Sequence, residues 1–371
     1  MKIFNLDLHI SVIADIQKIL TDLGHEVTSW NMSGHNWVFG RGKMATDVIT
    51  QENWHNISEE MCDAFYTRYK NELDQYDAFL TTHPPVFSRL FKNWNKPIIM
   101  VASIRYECPF STRPQEWEKF NNFLIEGVDK GQITLVANSK YDAEYGKYFL
   151  NRSFTHIPNL CEYTNVHYNP TKNHFLYYSR FNNYGQYCNG EIPNLIEKSK
   201  ALGHKFKWSD LVQYKGIVGV PYNVSTMSMF EYYTQNIPMF FPSVDLMLKM
   251  KEKHGNQILG ETSWNETWNM QPHHYPTEWK EGSVIKPGPN DPNHYQDLNK
   301  FKNWLPLADF YDTEWMPHIQ YFNSWDELKN RLSTIKNDEL MNISNNMKSM
   351  NIIRKQRVYD NWRNILQKVK L

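Results

Sequence analysis

The sequence predicts an α/β protein of two domains in tandem, each a parallel sheet covered by helices. Three observations carry that expectation. Short apolar runs rich in β-branched residues alternate with amphipathic stretches along most of the chain. The alternation restarts near residue 172, after an irregular segment with two prolines. The chain's 371 residues are also too many for one ordinary core.

"KIFNLDL" opens the first domain as a strand. Val12, Ile13, Ile16, Ile19, Leu20 and Leu23 then recur at helical spacing, and Gly24 supplies the helix end. "HEVTSW" reads as the next strand, and "YDAFLTTHPP" as a strand with a polar turn leading into the helix "VFSRLFKNW". "KPIIMVAS" is short, continuously apolar and β-rich, as a buried parallel strand requires. Residues 114–128 read as a helix with Pro114 in its first turn. "ITLVANS" then reads as a strand and "KYDAEYGKYFL" as a helix. In the second domain "HFLYYSR" is the first strand, "IPNLIEKSKALG" a helix, "HKFKW" a strand, and "GIVGV" and "PMFFPS" strands around a short helix. "HIQYF" is a last strand, followed by the helix "SWDELKNRLSTI" with Ser324 and Glu327 spaced as a capping box. The boundaries so drawn are 1–160, 161–350 and a terminal helix over 351–371 that packs back on the first domain. Residues 255–305 form an irregular Trp- and Pro-rich insertion in the second domain, with Trp264, Trp268, Trp279, His273 and His274.

Forty basic and forty acidic residues give a formal net charge of zero, which offers no general field for nucleic acid or an anionic membrane. Cys62, Cys108, Cys161 and Cys188 are scattered, suiting neither a zinc cluster nor a disulfide framework. No apolar stretch is long enough to span a bilayer, and the N-terminus lacks the features of a secretory leader. The expectation is a cytoplasmic enzyme or binding protein in a reducing compartment.

The most informative stretch is "VPYNVSTMSMFEYYTQNIPMFFP", residues 220–242. It places Ser225, Thr226 and Ser228 at the mouth of a helix that follows a parallel strand, with Glu231 one turn inside. A helix N-terminus presents unbonded N–H groups and partial positive charge, and at the carboxyl edge of a parallel sheet it is where open α/β folds hold phosphates. The Ser228-x-x-Glu231 spacing is equally that of a capping box. Cap and ligand pocket both stand at this point.

"HFLYYSR", "GVPYNVSTMSMFEYYTQNIPMFFPS" and "HIQYFNSWDELKNRL" resemble the GT-B superfamily of glycosyltransferases. In that family two Rossmann-like domains face one another across a cleft. Asn236-Ile237-Pro238 stands where the family usually has Gly-x-Pro. The resemblance implies transfer of a sugar from a nucleotide-sugar donor, UDP-sugar by preference, to a hydroxyl of a glycan or other acceptor, with no metal and no separate cofactor. It implies that Ser225, Thr226 and Met227 meet the donor diphosphate, that Glu231 holds the ribose, and that Arg180 neutralises the leaving group. Asn223 stands where retaining members often carry a glutamate, so it is assigned to the sugar and inversion is favoured.

An inverting transfer needs a base for the acceptor hydroxyl, and histidine titrates in the useful range. His9 follows the first strand at the carboxyl edge, in the position of the base in some inverting members. Asp7, His83 and Ser139 are the further acceptor-side candidates. Asn138 and Lys140 flank Ser139, while His35 and Glu107 read as structural. Metal chemistry is not expected: no Asp-x-Asp signature occurs, and adjacent His273 and His274 are poorly placed to share one ion. The rival expectations are a nucleotide-sugar epimerase on the same scaffold and a non-catalytic two-domain carbohydrate- or nucleotide-binding protein.

Overall fold

The computed structural model describes the chain apart from residues 36, 37, 39–45, 111, 112, 180–183, 189, 190, 204, 256, 257, 260–296, 370 and 371. Arg180 and the tryptophans and histidines singled out between 264 and 279 therefore lie outside the described residues. Two compact units are present. Among the described residues the first holds Met1–Asn159 and the end of the chain from Arg357, and the second holds those between 160 and 259 and between 297 and 356.

The first unit carries six parallel strands: β1 (Lys2–Asp7), β2 (Glu26–Asn31), β3 (Ala78–Thr81), β4 (Ile98–Ala102), β5 (Ile133–Ala137) and β6 (Thr155–His156), in spatial order β2-β1-β3-β4-β5-β6. Its helices are α1 (Ile10–Asp22), α2 (Glu59–Leu73), α3 (Pro114–Asp129) and α4 (Lys140–Leu150). α1 buries Ile10, Val12, Ile13, Ile16, Ile19 and Leu20, the apolar stripe legible in the sequence, and Gly24 at φ +84° lets the chain leave. Every residue of β3 and β4 is buried, as helices on both faces of a parallel sheet demand. Phe79 stacks on Phe91 at 4.2 Å between ring centroids, with Phe4, Phe65 and Trp94 around them.

The second unit carries five parallel strands: β7 (Phe175–Tyr178), β8 (Leu195–Glu197), β9 (Ile217–Gly219), β10 (Met239–Pro242) and β11 (Gln320–Phe322), in order β11-β10-β9-β7-β8. Its helices are α5 (Lys198–Leu202), α6 (Trp208–Leu211), α7 (Met227–Thr234), α8 (Val244–His254), α9 (Leu298–Trp304) and α10 (Trp325–Thr334). α11 (Asn337–Val369) gives its residues up to Gln356 to the second unit and the remainder to the first. There Tyr359 donates to Asp22 at 2.6 Å and Trp362 is buried. Glycine on β9 has a packing reason: a Cβ on Gly219 would stand 2.5 Å from the Phe241 ring, and one on Gly216, just before the strand, 2.7 Å from the Pro238 carbonyl oxygen.

Both sheets share one plan, a strand order that reverses beside the first strand of the unit. The reversal falls between β1 and β3 in the first unit and between β7 and β9 in the second, and the carboxyl ends at such a point are where open α/β sheets bind ligands.

Five elements differ from the sequence expectation. Leu195-Ile196-Glu197, read as part of a helix, is strand β8, paired with Phe175, Leu176 and Tyr177. Within "HKFKW", residues 205–207 are accordingly no strand, and Trp208 opens α6. "VFSRLF" belongs to a 3-10 stretch over Pro85–Phe91, every residue of which is buried. With every residue buried, no polar face exists to define an amphipathic α-helix. Thr155–His156, within the expected linker, adds a sixth strand to the first sheet. The segment expected to be irregular to residue 305 is helical from Leu298.

Candidate functional site

In the second unit, α7 starts at the carboxyl edge eight residues after the end of β9. Its N-cap is Thr226, whose side chain makes no capping hydrogen bond, and its first turn holds no acidic residue. Instead the Thr226 and Ser228 hydroxyls lie 3.3 Å apart, and Ser228 Oγ is 3.3 Å from the hydroxyl of Tyr178 at the end of β7. The capping box that the spacing permits is not formed. Glu231 accepts from the Tyr163 hydroxyl at 2.7 Å, and the Tyr163 ring leans on Trp208 with centroids 5.4 Å apart. Asn223 Oδ1 accepts from the amide of Val224 at 2.7 Å, folding the carboxamide onto its own loop. Ser225 and Met227 are half-buried beside it.

A cation stands next to this helix that sequence reasoning did not single out. Lys198, directly after β8, donates to the Tyr232 hydroxyl at 2.9 Å. Its ammonium lies 4.5 Å from the Phe206 ring centroid and 4.8 Å from that of Tyr178. Aromatic faces attract a cation and hold its stem, which fixes the charge in place. The signal was available in the sequence: a lysine following a strand sits at the carboxyl edge, but only once Leu195–Glu197 is read as a strand.

In the first unit the ends of β1 and β3 meet. Asp7 is fully buried, and its carboxylate accepts the backbone amides of His9 and, at 3.2 Å, His83. It therefore ties two strand ends together. Burial pushes the Asp7 carboxyl up, opposed by those amide bonds. His9 is the N-cap residue of α1, and its ring lies 5.1 Å from that of His83. Burial lowers His9 to about 4, aided by His35, and burial with His9 as neighbour lowers His83 well below the usual range. Both imidazoles are neutral at physiological pH. Ser103 Oγ gives its one proton to the Thr82 carbonyl at 2.8 Å, so it accepts from His83 Nδ1 at 3.3 Å, which fixes the His83 tautomer.

Ser139 is the N-cap of α4: its hydroxyl accepts from the Asp142 amide at 3.0 Å and donates to the Asp142 carboxylate at 2.6 Å. Asn138 heads a chain of carboxamides, donating to Asn159, which donates to Asp15. The three line a cavity of about 10 Å³, room for one water. On the loop leaving β4, Arg105 stacks on the Tyr145 ring at 4.6 Å and Tyr145 donates to Glu107 Oε1 at 2.6 Å. Among the described residues no group of three or more His, Cys, Asp or Glu side chains could hold a metal ion, and no helix is long and apolar enough to cross a membrane.

The two carboxyl edges thus differ in chemistry. That of the second unit offers donors and positive charge; that of the first offers neutral imidazoles and buried oxygens. Fold and edges together define a two-unit Rossmann-like α/β protein. A scan against protein-family models finds no family that matches this chain, and a search of curated proteins finds no match.

Proposed function

We propose that the protein is a GT-B-type glycosyltransferase that moves a sugar from a nucleotide-sugar donor, a UDP-sugar by preference, to an acceptor hydroxyl. The observation that carries the reading is the start of α7: a helix mouth at a strand-order reversal, not capped by the Thr226 side chain, rimmed by Thr226 and Ser228 hydroxyls and flanked by Lys198. Those are the groups a diphosphate needs, fixed before it arrives, and donors aimed at a leaving diphosphate act mainly as its charge grows. Ser225 and the Met227 amide extend the same set, Glu231 with Tyr163 suits the ribose hydroxyls, and the Tyr163–Trp208 pair suits a nucleobase face. Arg180 and Asn223 keep their proposed roles at the leaving group and the sugar.

The acceptor is assigned to the carboxyl edge of the first sheet, by His9, Asp7 and His83. His9 is assigned the proton of the acceptor hydroxyl, and the inverting reading requires its lowered basicity to rise when the substrates are bound. The transfer requires both edges to reach one pair of substrates. A thermal-shift screen of nucleotides and nucleotide sugars tests the donor half. A ligand at a hundred times its Kd stabilises by about 2.7 kcal/mol, a shift of a few degrees. One nucleotide series should raise Tm in the wild type and fail to do so in Glu231→Ala. Turnover of the best sugar nucleotide, with release of the nucleoside diphosphate, then separates transferase from binding protein. No shift with any nucleotide overturns the reading.

A further inference from the structure

We propose that the open edge of the second sheet binds a free nucleobase, in a cavity along β8. The site shares no residue with the α7 mouth and stands or falls apart from the transferase reading.

β8 is the last strand in its sheet and pairs with β7 on one side. A cavity of about 470 Å³ touches all three of its residues, with Tyr184, Cys188, Glu191 and Lys200 among the rest of its lining. The side chains of Leu195 and Ile196 leave the strand on opposite faces, and no β7 residue lines the space. The cavity therefore lies against the free edge of β8. Register decides what the backbone shows there. Phe175 donates its amide to the Asn194 carbonyl at 2.7 Å, and Phe175, Leu176 and Tyr177 pair in parallel with Leu195, Ile196 and Glu197. In such a ladder alternate residues turn both backbone groups toward the neighbour, so Ile196 faces β7 while Leu195 and Glu197 face the open side. The Leu195 amide is taken by the Ile192 carbonyl at 3.2 Å, and Glu197, as N-cap of α5, gives its carbonyl to the first helical turn. What remains is the Leu195 carbonyl and the Glu197 amide, an acceptor and a donor two residues apart on the cavity wall.

That pair selects the occupant. An added β-strand would need a longer run of free groups, and a three-residue edge is a device against strand addition. A flat ring with a donor beside an acceptor satisfies both groups at once, and that pattern is the Watson–Crick edge of a nucleobase. Tyr184, Leu195 and Ile196 supply aromatic and apolar walls for the ring, and the volume is that of a small-molecule site. Charge narrows the class. Glu191 and Glu197 stand against one ammonium, that of Lys200, 3.2 Å from Glu197. A lining with an excess carboxylate repels phosphate, so the occupant is the base with no phosphate attached.

Glu197→Pro is the direct test. At φ −61° Glu197 already has the dihedral of proline, and its amide points out of the sheet, so the change removes one donor and leaves the ladder intact. Glu197→Ala loses the same carboxylate and keeps the amide, which makes it the control. Calorimetric titration of the full chain with adenine, cytosine and uracil should show saturation by at least one base. Its affinity should stay within about twofold in Glu197→Ala and fall about tenfold in Glu197→Pro. On the wild type, the same base methylated so that its donor is lost should also bind about tenfold more weakly, which decides the question if Glu197→Pro does not fold. UDP affinity should be the same in wild type and both variants. No saturation by any base in the low-millimolar range overturns the site, as does equal affinity in the two variants or for the methylated base. Equal weakening of base and UDP in Glu197→Pro would make the cavity the donor's own base subsite, and the separate site would fall. Retained UDP binding in Glu231→Ala counts against the transferase reading alone, since Glu231 does not line this cavity.

Discussion

Asn351 Nδ2 donates to the Tyr233 carbonyl at 2.8 Å and to Asn236 Oδ1 at 2.7 Å, so the last helix closes the carboxyl end of α7. Arg354, fully buried, stacks on the Tyr233 ring at 4.8 Å beside the same terminus. A cation at a helix C-terminus is the favourable end of the dipole for it. α7 thus has its carboxyl end held by α11 while its amino end makes no side-chain cap. Asn351→Ala should cost about 1–2 kcal/mol in chemical denaturation, from the orphaned carbonyl and amide. It should also weaken UDP, because the donor groups at the far end of α7 lose their placement. A stability loss with unchanged UDP affinity would show that α11 serves the fold alone.

Thr226 separates the two readings of its own stretch of sequence. A threonine that caps a helix through its side chain loses about 1 kcal/mol on replacement by alanine. Thr226 makes no such bond, so Thr226→Ala should lower stability by less than about 0.5 kcal/mol. If its hydroxyl serves a diphosphate, the same change should weaken UDP about tenfold. The opposite pattern, a full capping loss with UDP binding intact, would return this helix to an ordinary structural role.

Much of this architecture was legible because it depends on periodicity. The stripe from Val12 to Leu20, the apolar "IIMV" of β4 and the Ser324 cap of α10 each show a local pattern that tertiary packing reinforces. Leu195–Glu197 was not legible: three residues are too few to display a period of two, and the neighbouring Lys198–Leu202 is helical, so the strand was absorbed into it. The site followed the same division. Thr226 and Glu231 are announced by their helix. Lys198 is announced only by the missed strand. Glu107 looked structural because a lone glutamate in "IRYECPF" does not reveal that Tyr145, thirty-eight residues on, takes one of its oxygens.

Lys198→Met retains the apolar stem among Tyr178, Phe206 and Tyr232 while removing the charge. Uridine binding should therefore be unchanged, and UDP should weaken by about tenfold with a flatter dependence on salt. Comparison of the two ligands by calorimetry isolates the cation. Equal losses for uridine and UDP would mean that the lysine props the pocket and does not meet the anion.

Stability should depend on pH through two groups of opposite sign in the first unit. His9 falls from its ordinary 6.5 to about 4 on folding, so its contribution is full above pH 6.5 and is lost as pH falls through 4. Glu107 rises from 4.5 to about 7, so its contribution is full below pH 4.5 and is lost as pH rises through 7. The shift corresponds to ~3 kcal/mol at most. Relative to wild type, Glu107→Gln should gain stability between pH 5 and pH 8, because the variant no longer ionises in a buried site. His9→Asn should instead flatten the decline between pH 6.5 and pH 4. Denaturation curves across that range read both limbs. If the Glu107→Gln and wild-type profiles run parallel from pH 4.5 to pH 8, the carboxyl does not titrate inside the fold in that window.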